Sequence, residues 1–94
     1  MDTDQYMDQM ICEKALELYR AIEAALEGGR GGYAKEKQTE LRSILNGQTQ
    51  HSAFRNAHAY LPRASKNLSQ WRSELAYSRI SIEDYLRALE RKTQ

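Results

Sequence analysis

From residue 4 to residue 27 the chain contains neither glycine nor proline. It is rich in Ala, Leu, Glu, Lys and Arg, residues that lose little rotamer freedom in a helix. Ile11, Ala15, Leu18, Ile22 and Ala25 recur at steps of four and three, the spacing of one helix face. Cys12, Leu16, Tyr19 and Leu26 form a second stripe beside the first. At about 100° per residue the two stripes merge into an apolar face roughly half the circumference wide. A face that broad needs neighbours on more than one side. The stretch therefore reads as a central helix about 36 Å long. Ile11, Ala15, Leu18, Ile22 and Ala25 are expected at the core or at a dimer interface.

Beyond this helix the punctuation is helical throughout. Gly28-Gly29-Arg30-Gly31-Gly32 ends helix one and predicts a flexible connector over residues 28–33. The cluster lacks the Lys-Ser/Thr of a phosphate loop and follows no strand. Its single Arg-Gly-Gly is one unit of a motif repeated in RNA-binding tails. Residues 34–46 predict helix two, with Leu41, Ile44 and Leu45 as apolar contacts and Lys37 set to pair with Glu40. Asn46-Gly47 stops it, because both residues tolerate positive φ. Residues 50–61 predict helix three, with Ala53, Phe54, Ala57, Tyr60 and Leu61 on one face, ended by Pro62.

Ser65 or Arg63 begins a fourth helix, with Ser65 a fair N-cap and Ala64, Leu68, Trp71 and Leu75 on one face, running to about Ser78. Ser81 and Asp84 resemble a capping box, and Ile80 and Tyr85 a hydrophobic staple, for a fifth helix carrying Ile82, Tyr85, Leu86 and Leu89. The expectation is an all-α bundle of one long N-terminal helix and about four shorter ones, in a single domain over residues 1–94.

Composition excludes several classes. One cysteine among 94 residues rules out an internal disulfide framework. Cys12 sits on the apolar face of helix one beside acids, so it reads as a buried, unreactive thiol. No apolar run approaches membrane-spanning length. The acidic start (Met1, Asp2, Thr3, Asp4) does not read as a signal peptide, so a cytoplasmic location is expected. His51 and His58 are seven apart, about 10 Å along a helix, too far to bind one metal directly. No metal and no cofactor is expected. Neither a nucleophile beside a base nor a pair of facing carboxylates can be picked out, so no enzyme activity is expected.

The near-neutral net charge of +1 hides an asymmetry. Residues 1–28 carry seven acids and two bases, while residues 29–94 carry twelve bases and six acids. Between Glu40 and Glu74 there is no acid, yet Arg42, Arg55, Arg63, Lys66 and Arg72 all lie there. Such a segment suits an anionic partner, or it docks the acidic face of helix one in its own chain or a second copy. Arg42, His51, Arg55, His58, Arg63, Lys66 and Arg72 are the candidate partner-binding residues. His51, Arg55 and His58 are expected on one solvent-facing stripe of helix three.

In size and character the chain is similar to the small helical regulators and inhibitors encoded by phages and plasmids. The expected function is that of a protein-binding regulator or inhibitor acting through helix surfaces, with a homodimer as one arrangement. The alternative is binding of DNA or RNA through residues 42–79, where Gln48, Gln50, Asn56, Asn67 and Gln70 mix with the bases and aromatics.

Overall fold

In the computed structural model, which describes residues 3–48, 51–63 and 67–92, the chain is all-helical. The described residues form four helices, α1 (Thr3–Glu27), α2 (Gly31–Asn46), α3 (Ser52–Tyr60) and α4 (Leu68–Lys92). The expected long helix is therefore matched by a second one of the same length, 25 residues each. The anticipated fourth and fifth helices are one.

The break expected between Ser78 and Ser81 does not exist, for a physical reason. No glycine or proline lies between Leu68 and Lys92. Leu68, Trp71, Leu75, Ser78, Ile82, Tyr85 and Leu89 alternate steps of three and four without a gap, and all are buried or half-buried. Ser78 takes one of these inward positions because neighbouring helices satisfy its hydroxyl. Ser81 stands inside the helix, and Asp84 pairs with Arg87 at 3.3 Å instead of capping. Ile80 is exposed and Tyr85 packs elsewhere, so no staple forms. The cap of α4 is Asn67, whose Oδ1 accepts from the Gln70 N–H at 3.0 Å. Ser65 and Ala64 lie outside the described residues.

α1 ends in a Schellman motif. Arg30 N–H donates to the Ala25 carbonyl at 2.8 Å and Gly29 N–H to Leu26 at 3.2 Å. This geometry needs a left-handed residue, and Gly29 supplies it at φ +73°. The connector is shorter than the glycine cluster, because α2 already begins at Gly31. α2 stops after Asn46 without the positive φ anticipated, since Gly47 sits at φ −77°, ψ −10°. α3 starts at Ser52, not residue 50, and ends where Leu61, preceding Pro62, turns extended.

α1 lies between α2 and α4 and runs antiparallel to α4; α3 packs on α4 and α2. This explains the wide apolar face. Ala15, Leu18, Ile22 and Ala25 are buried together with Cys12, Leu16, Tyr19 and Leu26, while Ile11 is half-buried at the edge. Both stripes are thus covered within one chain. Trp71, Phe54, Leu41, Leu45, Leu75, Ile82 and Leu89 complete the core. Side chains of this kind each contribute about 1.5–3 kcal/mol on full burial.

Candidate functional site

Two polar bridges cross this apolar core. Ser78 Oγ donates to the Ala57 carbonyl at 2.5 Å, in the last turn of α3, where carbonyls lack helical partners. Its single proton is then spent, so Tyr19 O–H donates to Ser78 Oγ, also at 2.5 Å. The chain of bonds ties α1 to α4 to α3. Burial pushes the Tyr19 hydroxyl up to about 12, against the opposing pull of Ser78 and Arg79. Burial, reinforced by Asp8 and Glu13, likewise pushes the Cys12 thiol up to about 12, leaving it protonated and inert.

The second bridge turns on Gln38, only 4 % exposed. Trp71 Nε1–H donates to its Oε1 at 2.6 Å, and its Nε2 donates to the Pro62 carbonyl at 2.5 Å. Indole can only donate and the Pro62 carbonyl only accept, so the amide has one allowed orientation. Arg42 Nη2 reaches the same carbonyl at 3.1 Å. α2 thereby holds the bend at residues 61–63 and brings Arg63 beside Arg42. Lys35, Gln38, Thr39, Arg42 and Arg63 line a shallow groove of about 320 Å³. Three of these five residues are cationic and none is acidic. Among the described residues, Lys35 and Arg63 make no ion pair.

Among the described residues, the other candidates do not join this groove. Arg72 faces α1, its Nη2 2.5 Å from Glu27 Oε1. Nearby, Arg79 bonds to Glu23 on α1 and, at 3.0 Å, to Glu83. Partial burial works against the Arg79 charge, but Glu23 and Glu83 outweigh it and hold its guanidinium above the ordinary value. Part of the charge asymmetry is thus resolved inside the chain, with acids of α1 docked on bases of α4.

His51 lies off the helix it was expected to decorate. It is the N-cap of α3, with Nδ1 accepting from the Ala53 N–H at 3.0 Å. Its ring stacks on Tyr85 at 3.8 Å, and Tyr85 O–H donates to Asp8 at 2.5 Å. Phe54 meets Tyr85 edge-on at 5.6 Å. His51 is therefore half-buried rather than solvent-facing, and the stripe reduces to exposed Arg55 and half-buried His58. Lys66 lies outside the described residues. No group of three His, Cys, Asp or Glu among the described residues is placed to hold a metal ion. No helix among them is long and apolar enough to cross a membrane.

Lys35, Gln38 and Thr39 have no role in the sequence reading. The signal that points to them is the seven-residue step from Lys35 to Arg42, which puts both on one flank of α2. A different surface stands out at the start of α1. Tyr6, Met7 and Met10 are 57 %, 52 % and 51 % exposed and share one face over little more than one turn. Compared with protein-family models, with curated proteins and with solved structures, the chain matches none.

Proposed function

We propose that the chain is a non-enzymatic regulator that binds another protein through the first turns of α1. One observation carries this reading: Tyr6, Met7 and Met10 form an apolar strip on a helix whose opposite side is already packed. Clustered exposed apolar side chains mark interaction surfaces far more often than scattered ones do. Methionine is flexible and polarisable, and tyrosine adds area with a polar tip, so the strip suits an amphipathic helix laid in a partner's groove. The surrounding helix is acidic, with Asp4, Asp8 and Glu13 in its first half. The partner that fits is a protein with an apolar groove and a basic rim.

The test is affinity capture with the full chain and with a Met7→Glu, Met10→Glu double variant, followed by calorimetry with the captured protein once purified. Both sites are exposed, so the double variant should melt within a few degrees of wild type. The reading expects a partner held by wild type and released by the variant. Equal capture by both would overturn it. A doubled mass for the isolated chain, abolished by the double variant, would instead name a second copy as the occupant.

A further inference from the structure

We propose that the groove between α2 and the bend at residues 61–63 binds the phosphodiester backbone of a nucleic acid strand without reading its sequence. The groove is lined by Lys35, Gln38, Thr39, Arg42 and Arg63, and among the described residues it holds three cations and no carboxylate. Neighbouring acids on α2 do not enter it: Glu40 is held by Lys37 at 3.4 Å on another side of the helix, and Glu36 is not part of the lining. Arg42 is the fixed point. Its bond to the Pro62 carbonyl uses one edge of the guanidinium and orients the remaining N–H donors. A donor already held in place loses less freedom when it engages an oxyanion. The Thr39 hydroxyl spends its proton on the Lys35 carbonyl at 3.0 Å, so the contacts to an oxyanion fall to the cations.

The shape selects the kind of anion. The groove opens to solvent along α2, so a phosphate carried on a longer strand can enter it. Lys35 and Arg42 are two helical turns apart, about 10 Å along the axis. A cationic track of that length suits a ligand that repeats its charge, which a nucleic acid backbone does and a singly phosphorylated peptide does not. Gln38, the one amide of the lining, is buried and engaged on both sides, and among the described residues the lining holds no aromatic ring on which a base could stack. The recognition is therefore of backbone charge, not of base edges. The groove lies on α2, on a different helix from Tyr6, Met7 and Met10, so it stands or falls apart from the protein-binding reading.

The experiment is fluorescence anisotropy of a labelled, mixed-sequence single-stranded oligonucleotide titrated with the full chain. Three phosphate contacts predict a roughly 20-fold loss of affinity between about 50 and 200 mM salt. Lys35→Glu with Arg63→Glu should weaken binding by at least about tenfold at the lower salt and flatten the salt dependence to about threefold. Both side chains are exposed, so the variant should keep the wild-type melt. The control is Arg91→Glu with Lys92→Glu, which changes net charge equally at the far end of α4, about 30 Å along the helix from Trp71. It should retain wild-type affinity. Equal loss in both variants would reduce the effect to overall charge and overturn the site, as would no loss in the groove variant. Displacement of the oligonucleotide by a singly phosphorylated peptide at matched phosphate concentration would overturn the choice of ligand.

Discussion

Along the seam between α1 and α4, Arg72 lies 2.5 Å from Glu27, and Arg79 is bonded by both Glu23 and Glu83. Along the groove beside α2, Lys35 and Arg63 line a surface with no carboxylate among the described residues. The two regions use the same residue types and sit on the same small bundle, yet their cations have different duties. In the seam a cation answers a carboxylate of its own chain and contributes to packing. In the groove Arg42 answers a backbone carbonyl, with no carboxylate partner among the described residues. A run of bases in the sequence therefore does not mark one surface. Which bases are spent on the fold is decided by which helix they face.

The comparison can be broken most forcefully at the bridge that joins the two regions. Trp71→Ala should cost about 3–5 kcal/mol, from the cavity and from leaving the Gln38 amide oxygen buried without a donor. Because the Gln38 amide also holds the Pro62 carbonyl, the groove should loosen too. The checks are a denaturant melt and the same oligonucleotide titration; a stable variant with unaltered binding would mean the bridge is incidental.

Alkali should load the seam alone. Folded Cys12 and Tyr19 keep their protons to about pH 12, above the ordinary values of 9.0 and 10.0. The native state then binds more protons than the unfolded chain across that window. Stability is fully present below about pH 9 and falls as pH rises toward 12, at up to about 1.4 kcal/mol per pH unit for each group. Melting temperature against pH checks it, and Cys12→Ala should delay the onset.

The smallest effects give the sharpest contrast. Arg79→Ala removes a partner shared by two carboxylates, one of them mostly buried, and should cost about 1–2 kcal/mol. Arg63→Ala should stay within about 0.5 kcal/mol. Paired urea titrations would measure both; equal costs would erase the distinction between seam and groove.

Much of this fold can be read from residue spacing. α1 is framed by its unbroken helix formers and by the glycines that follow, since the forces that start and stop it are local. α4 is harder. The polar letters Ser78 and Ser81, with Asp84 three residues on, imitate a helix start, and only neighbours 20 to 60 residues away satisfy the Ser78 hydroxyl. The steps of three and four through Leu75, Ser78 and Ile82 were the stronger signal. The candidate site was half legible. The acid-free run after Glu40 flags Arg42 and Arg63, but what brings them together is the Pro62 carbonyl, a tertiary contact that no spacing reports. Arg72 belongs to the same run and is spent on Glu27. His51 has helical spacing to Arg55 and His58, yet its imidazole is used as a cap.

The hydroxyl of Ser78 has a consequence for uniqueness rather than for stability. A bundle whose inward residues repeat every three and four positions offers nearly equivalent packings when one helix slides past another by seven residues, about 10 Å. Leucine, isoleucine and alanine do not discriminate strongly between such alignments. The relay from Tyr19 through Ser78 to the Ala57 carbonyl does, because only one axial alignment gives all three groups a partner. Any slip would bury a hydroxyl and a carbonyl unpaired, each at about 1–3 kcal/mol. One serine among the apolar residues thus fixes the register of three helices, and with it the position of every surface the bundle presents.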